Sequence, residues 1–220
     1  MALPAEVAVV LPKDTARSWE AIAPSVPRGA YLAGGTALAV HLRHRISRDL
    51  DFLIHRPVDL DQVTAALRSG GGFAVTLRDD RTLNGVFSNT PVQFMSVEGQ
   101  RQLEPTTAVA GIEVAGMGDI LAMKVEVIGD RGELRDYFDV MAIERKAGRT
   151  VEEGLGLYMA RWGVEPEHVS VRHIVEGLGF FDDVGDDEAL PVSRDEIVSY
   201  WQKRQPELIR SLGRFPPRAR

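Results

Sequence analysis

The sequence predicts an α+β protein in which strands and helices mix over about residues 1–115 and helices alone follow from 116 to 220. Runs of β-type residues bounded by turn residues end near residue 97, and from Gly118 onward apolar residues recur at helical spacing. A chain of 220 residues is long enough for one large domain or for a domain with a helical appendage. No obvious linker separates the two parts.

The first part alternates between helices and strands. The predicted helices are 15–23, 36–44 and 59–72, and the predicted strands are 30–35, 49–55, 73–80, 82–89 and 91–97. Thr36 is expected to N-cap its helix. Asp59 is expected to cap the third helix, with Gln62 completing a capping box. The pair Asn84-Gly85 is a candidate bend between strands.

The second part has the pattern of consecutive helices, at 118–129, 133–148, 150–162, 166–178 and 193–213. Gly129 and Gly132 are expected to end the first of them and separate it from the second.

Two aspartates one residue apart, Asp49 and Asp51, stand in the predicted strand 49–55. Side chains two apart on a strand point to the same face, opposite in this case to the apolar Leu50 and Phe52. Two like charges side by side repel each other unless a cation neutralises them, and hard Mg²⁺ prefers carboxylate oxygens. An isolated Asp-x-Asp is also typical of a solvated strand end, so the pair alone leaves both interpretations open.

Gly34, Gly35 and Thr36 lie where the predicted strand 30–35 meets the predicted helix 36–44, about a dozen positions before the acidic pair. Glycines at such a turn let the backbone approach a ligand, and the N–H groups at the start of the following helix can bind an anion. Paired glycines before a helix are more often structural. Followed by two potential metal ligands, they indicate a triphosphate site next to a metal site.

Charged residues on the two central helices form a third group: Lys124, Arg131, Arg135, Asp136 and Asp139. Lys124 has apolar neighbours, so its amine either faces a cleft or reaches solvent. Arg135 and Asp139 are four apart and are expected to form a surface ion pair, which leaves Asp136 as the candidate for an inward, functional carboxylate.

Composition restricts the compartment and the partners. The chain has no cysteine, which excludes disulfides and thiolate metal sites and suits a reducing cytoplasm. No apolar run approaches the roughly 20 residues that a membrane-spanning helix needs. The net charge is −6, which disfavours a general nucleic-acid coat. The C-terminal end is nevertheless basic, and it could contact phosphates or form a solvated helix face; its cations are Lys203, Arg204, Arg210, Arg214, Arg218 and Arg220.

The run AGGTALAVHLRHRISRDLDF, followed by a lysine-bearing helix and by RDYFD, resembles the AbiEii/AbiGii toxin family of bacterial nucleotidyltransferases, a branch of the polymerase-β-like superfamily. The resemblance is close over 31–54 and looser over 117–146. It implies a nucleotidyltransferase-type core, a mixed β-sheet with packed helices over 1–115, and a helical region over 116–220 that completes the active-site cleft.

The resemblance also implies residue roles. Gly34, Gly35 and Thr36 would hold the phosphates of an NTP, and Asp49 and Asp51 would bind Mg²⁺ or Mn²⁺. Lys124 would contact the nucleotide, and with Asp136 and the two metal ligands it would take part in catalysis.

The activity implied is transfer of a nucleoside monophosphate from an NTP to a hydroxyl, with release of pyrophosphate. Members of the family act as the toxin of a toxin–antitoxin pair, often in phage defence, and some relatives modify the acceptor end of tRNA. The expected partners are therefore an NTP, an RNA acceptor such as tRNA and an AbiEi-like antitoxin.

The sequence departs from the superfamily pattern at one position. A third carboxylate usually follows on a later strand, and Gln93 stands at the place where it is expected. Either Asp136 substitutes for that acid, or the reaction dispenses with the base, or catalysis is weak. Two other functions stay open: a nucleotidyltransferase with a small-molecule or protein acceptor, and a degenerate protein that binds a nucleotide or a partner.

Overall fold

The computed structural model describes residues 2–130 and 132–213. Arg131 and three cations of the basic end (Arg214, Arg218 and Arg220) lie outside these residues. The chain divides into two compact units, Met1–Ile120 and Leu121–Arg220. The boundary expected from the sequence lies after residue 115.

The first unit carries the strands. Its helices are α1 (Ala5–Ala8), α2 (Lys13–Ile22), α3 (Gly34–Leu42), α4 (Leu60–Ser69) and the start of α5 (Met117–Asp130), with a 3₁₀ turn at Ala23–Ser25. Its strands are β1 (Ala30–Ala33), β2 (Leu50–Ile54), β3 (Phe73–Arg78), β4 (Thr82–Phe87), β5 (Thr90–Ser96), β6 (Thr107–Val109) and β7 (Ile112–Val114).

Within the described residues, the strands form one seven-stranded sheet in the order β3-β4-β5-β2-β1-β7-β6. Strand β2 pairs in parallel with β5 and antiparallel with β1, and β1 pairs in parallel with β7. The remaining neighbours are antiparallel. The sheet is therefore mixed and has helices packed with it, which confirms the predicted α+β class.

The two faces of β2 differ as the sequence predicted. Leu50, Phe52 and Ile54 are buried, and Phe52 stacks on Phe94 of β5 with ring centroids 4.7 Å apart. Asp51 is on the opposite face, because alternate residues of a strand point to opposite sides. Burial of the apolar face thus holds the acidic strand in a fixed register.

Three local expectations are wrong. Helix α3 begins at Gly34 with Ala33 as its N-cap, so Thr36 lies inside the first turn and does not cap it. Asn84 and Gly85 lie within β4 rather than at a bend, because Gly85 leaves room for the ring of Phe73 on the neighbouring strand. Asp59 does cap α4, but the Gln62 side chain donates to the Asp59 carboxylate (3.0 Å), whereas a capping box would join it to the Asp59 backbone N–H.

The second unit consists of helices: the remainder of α5, then α6 (Leu134–Ala147), α7 (Val151–Trp162), α8 (Val169–Gly177) and α9 (Arg194–Leu212). The C-terminal helical region is confirmed. Trp201 of α9 is fully buried, and its indole N–H donates to the carbonyl of Tyr137 on α6. No helix in the described part of the chain is both long and apolar enough to cross a membrane.

A charged cluster fastens α9 to α6 and α7. The Arg204 guanidinium donates to Glu144 (3.0 Å) and to Glu152, and the Tyr200 hydroxyl donates to Glu144. Burial alone raises the pKa of Glu152, but the hydrogen bond and the charge of Arg204 outweigh it and keep that pKa below its ordinary value. The same carboxylates hold the pKa of Arg204 above its usual range, against the opposing effect of burial.

We expect Arg204→Gln to lower the free energy of unfolding at neutral pH by about 1.5–3 kcal/mol, since it removes charge-assisted hydrogen bonds to half-buried carboxylates. The folded-state pKa of Glu152 is lowered. Its stabilising contribution is therefore complete above its unfolded pKa and is lost as the pH falls through the folded value.

Urea unfolding of wild type and Arg204→Gln between pH 7 and about pH 3 checks this prediction. The difference in the free energy of unfolding between the two proteins should shrink below the ordinary glutamate pKa of about 4.3. Arg172→Gln is the control, because Arg172 forms an exposed ion pair with Glu176 on α8. This substitution should change the free energy of unfolding by less than about 1 kcal/mol. A difference for Arg204→Gln that does not change with pH would contradict the role given to Glu152.

Candidate functional site

The carboxylate of Asp51 lies against the first residue of α3. A Cβ built on Gly34 would be 2.7 Å from Oδ2 of Asp51, closer than real Cβ contacts allow. Gly34 also has a φ of +66°, a left-handed conformation that favours glycine. Only a glycine lets the start of α3 and the acid of β2 approach this closely.

Backbone register explains this approach. Ala33, the last residue of β1, pairs with Asp51 across the antiparallel β1–β2 ladder, and α3 begins at the next residue. In the described part of the chain no side chain caps α3, whose N-cap is Ala33. The N–H groups of the first turn of a helix have no intrahelical acceptor and carry a partial positive charge. A helix end whose chemistry suits an anion and a carboxylate whose chemistry suits a cation therefore lie side by side.

Thr36 is buried, with 1% of its surface exposed. Its hydroxyl donates to the backbone carbonyl of Asp49 (2.5 Å) and shares a hydrogen bond of 2.8 Å with the hydroxyl of Ser47. Asp49 is half-buried and precedes β2, which begins at Leu50. Thr36 thus anchors the backbone that leads into the acidic pair. The expected contact of Thr36 with a phosphate stays a prediction.

Two residues beside Gly35 escaped the sequence reasoning. A Cβ on Gly35 would be 2.6 Å from Nη2 of Arg45 and 3.3 Å from Oγ of Ser47. The guanidinium of Arg45 therefore lies directly on the glycine turn and adds a positive charge to the start of α3. The segment HRIS lies within the run that resembles the toxin family, and this is the only sign in the sequence that these two side chains belong to the site.

Gln93 is next to Asp51 in the sheet. The parallel β2–β5 ladder pairs Asp51 with Gln93, and the antiparallel β4–β5 ladder pairs Gln93 with Asn84. The amide nitrogen of Gln93 donates to Oδ1 of Asn84 (2.9 Å). Paired residues on neighbouring strands project to the same face of a sheet. Asp51, Gln93 and Asn84 therefore form one polar row.

Lys124, Asp136 and Asp139 form a buried ion triad in the second unit. The Lys124 ammonium is 2.8 Å from Oδ1 of Asp136 and 2.7 Å from Oδ2 of Asp139. Oδ2 of Asp136 also accepts the backbone N–H of Glu133 (3.1 Å). Asp139 is fully buried, and Arg135 pairs with Glu133 instead (2.6 Å). The expected surface pair between Arg135 and Asp139 is therefore wrong.

The structure thus groups the site residues predicted from the sequence in two sets. Gly34, Gly35, Thr36, Asp49 and Asp51 belong to the first unit, whereas Lys124 and Asp136 belong to the second. Within residues 2–130 and 132–213, no three His, Asp or Glu side chains are grouped so that they could hold a metal ion.

We expect Gly34→Ala to destabilise the protein more than Gly163→Ala. Both glycines have a φ of +66°, but a Cβ on Gly163 would meet nothing within 4 Å. Gly163→Ala therefore measures the backbone strain alone, about 1–2 kcal/mol, whereas Gly34→Ala adds the collision with Asp51. Urea unfolding of both variants checks the difference.

The same comparison in an Asp51→Ala background identifies the cause. Once the carboxylate is removed, the cost of Gly34→Ala should fall to that of Gly163→Ala. An excess cost that survives Asp51→Ala would show that another contact excludes a side chain at position 34.

We expect Lys124→Met to lower the free energy of unfolding by about 3–5 kcal/mol, because it leaves two buried carboxylates without their cation. Lys146→Met is the matched control, since Lys146 is exposed on α6 and should change stability by less than about 0.5 kcal/mol. Adding Asp139→Leu to Lys124→Met should recover part of the loss. A Lys124→Met variant as stable as wild type would contradict a structural role for the triad.

Comparisons with known proteins agree with this fold and these motifs. Residues 24–103 match the family model described as nucleotidyl transferase AbiEii toxin, type IV toxin–antitoxin system. An uncharacterized protein of Aquifex aeolicus (strain VF5) is 27% identical over 178 residues, which cover 79% of this chain and 81% of that protein. The matched segment contains the glycine turn, the acidic pair and Gln93, whereas Lys124 and Asp136 lie beyond it.

Solved structures share the fold. MenT4, a nucleotidyltransferase toxin of Mycobacterium tuberculosis H37Rv, superposes with a TM-score of 0.58 at 18% identity, covering 96% of this chain and 85% of that one. JHP933 of Helicobacter pylori superposes with a TM-score of 0.51 at 17% identity, covering 96% of this chain and 98% of that one. The resemblance seen in the sequence is confirmed, and over residues 24–103 the chain is similar to the AbiEii nucleotidyltransferase toxins.

Proposed function

We propose that this protein transfers a nucleoside monophosphate from an NTP to a hydroxyl group of RNA, with tRNA as the favoured acceptor and Mg²⁺ or Mn²⁺ as the required cation. It would do so in the cytoplasm as the toxin of a toxin–antitoxin pair, with an AbiEi-like antitoxin as its partner. The cytoplasm suits a chain without cysteine.

The observation that carries the proposal is the contact of Gly34 with the Asp51 carboxylate. Phosphates bind at helix N-termini because the free N–H groups point at them and the helix dipole favours negative charge. Mg²⁺ is usually held by one or two carboxylates together with substrate phosphates. Bringing a helix N-terminus and a carboxylate together supplies both halves of a binding site for a metal–triphosphate complex.

The donor atoms suit the proposed cation. Asp49 and Asp51 offer carboxylate oxygens, the ligands that hard divalent cations prefer. Once bound there, such a cation neutralises charge that develops on the phosphates during transfer. Gly34 and Gly35 leave the backbone of α3 open to the phosphates, and the nearby Arg45 guanidinium adds positive charge at the same turn.

Lys124 and Asp136 keep the roles that the family resemblance implies, contact with the nucleotide and participation in catalysis. Their ion pair supports a preorganised pair of charges, because neither side chain has to be ordered when a nucleotide binds. The same pair also accounts for their burial on structural grounds alone, so activity and stability must be measured together for variants at these positions.

The choice of an RNA acceptor is supported by the toxin family and by exposed cations of α9. Lys203 and Arg210 are exposed, whereas Arg204 is engaged with Glu144 and Glu152 inside the second unit. Exposed cations bind nucleic acid through phosphate contacts that depend on salt. The net charge of −6 favours the alternative of a small-molecule or protein acceptor, and the amide at position 93 favours that of a binding protein without transferase activity.

The test is incubation of the purified protein with each labelled NTP, Mg²⁺ and total tRNA. We expect label in tRNA with wild type and with Asp80→Asn, which changes an exposed aspartate in the turn between β3 and β4. Asp51→Asn should lower the incorporation by at least about 100-fold, since one of the two carboxylates proposed to hold the cation is lost.

Any result other than label in tRNA favours one of the alternative functions. Label in the protein itself or in a small molecule would replace RNA as the acceptor. NTP binding without any transfer would overturn the proposed activity and leave a nucleotide-binding protein. Thermal unfolding of Asp51→Asn and Asp80→Asn shows whether both variants are folded.

A further inference from the structure

Gln93 lies beside Asp51 in the sheet. Strand β5 lies between β2 and β4, so Gln93 has Asp51 on one side and Asn84 on the other. All three side chains are half-buried on the same face of the sheet. Gln93 therefore has a polar neighbour on each side, and one of the two is a carboxylate.

The hydrogen bond to Asn84 orients the Gln93 amide. A primary amide carries its two donors on the nitrogen and its acceptor on the oxygen, and the two atoms point in different directions from the planar terminal carbon. Because the nitrogen donates to Oδ1 of Asn84, it faces β4. The oxygen of the same amide is consequently turned away from Asn84.

We propose that the Gln93 amide oxygen is a neutral ligand of the divalent cation held by Asp51, and that Asn84 is a positioning residue that keeps this oxygen turned toward Asp51. The proposal rests on the proposed function, since it assumes a cation at Asp49 and Asp51. Amide and carbonyl oxygens ligate hard cations as carboxylates do, but without adding negative charge. The site would then hold its cation with two negatively charged carboxylates, those of Asp49 and Asp51, and with the neutral amide oxygen of Gln93.

A neutral ligand has a chemical consequence. Fewer negative charges around a cation weaken its binding to the protein alone. The phosphates of the NTP then supply the missing charge, so that cation and nucleotide bind best together. We therefore expect the affinity of the free protein for Mn²⁺ to be modest and to rise when a nucleotide is present.

The test measures Mn²⁺ binding directly, by electron paramagnetic resonance of the free ion with the full-length protein and without nucleotide. Gln93→Met keeps the length of the side chain and removes the oxygen, so the Kd should rise about tenfold or more. Gln93→Glu replaces the neutral oxygen with a carboxylate, so the Kd should fall about tenfold or more.

Asn84→Ala tests the positioning role. We expect it to raise the Kd for Mn²⁺ in the wild-type background and to have no further effect in the Gln93→Met background, because Asn84 acts only through Gln93. An Asn84→Ala effect of equal size in both backgrounds would contradict this role. Thermal unfolding of every variant shows whether it is folded.

Asp51→Asn separates this proposal from the proposed function. If Asp51→Asn abolishes Mn²⁺ binding while Gln93→Met and Gln93→Glu leave the Kd unchanged, the Gln93 ligand is overturned and the acidic metal site stands. If wild type binds no Mn²⁺, with or without an NTP, the proposed metal site itself fails and the Gln93 proposal fails with it.

Discussion

The first unit depends on one close approach, that of the Asp51 carboxylate to the backbone at Gly34. The β1–β2 register places Ala33 opposite Asp51, so the chain must turn into α3 directly above the acid. Any Cβ at position 34 would collide with that acid, and the positive φ of Gly34 would strain any other residue. The absence of a side chain at Gly34 therefore allows the start of α3 to pack directly against the carboxylate of Asp51 on β2.

Much of this arrangement was predictable from local patterns. The alternation LDFLI predicted a strand with its apolar side buried, and the spacing of apolar residues predicted five helices after residue 116, which the structure confirms. Gly129, which was expected to end the first of these helices, lies inside α5 instead. The role of Thr36 was not predictable, because a threonine after two glycines is equally typical of a cap and of a first-turn residue. Only the position of the Asp49 carbonyl, which is set by tertiary packing, decides between them.

The triad of Lys124, Asp136 and Asp139 shows a second limit of local reasoning. Spacing of four residues suggests a surface pair between Arg135 and Asp139. Asp139 instead faces the buried side of α6, where the ammonium of Lys124 on α5 satisfies it. Sequence periodicity shows which residues share a helix face, but not which charge a neighbouring helix brings to it. The short strands β6 and β7 went unpredicted for a similar reason, since three-residue strands carry no periodicity of their own.

The stack of Phe52 on Phe94 has a consequence for how the site is assembled. Phe94 follows Gln93 on β5, so the two side chains project from opposite faces of the sheet. A slip of β5 by one residue would carry Phe94 to the polar face and Gln93 into the core. The stack of Phe52 on Phe94 and the alignment of Gln93 with Asp51 are therefore kept together or lost together. A misaligned β5 would lose the stabilisation of the aromatic core. The register that buries Phe94 is therefore also the register that aligns the polar row.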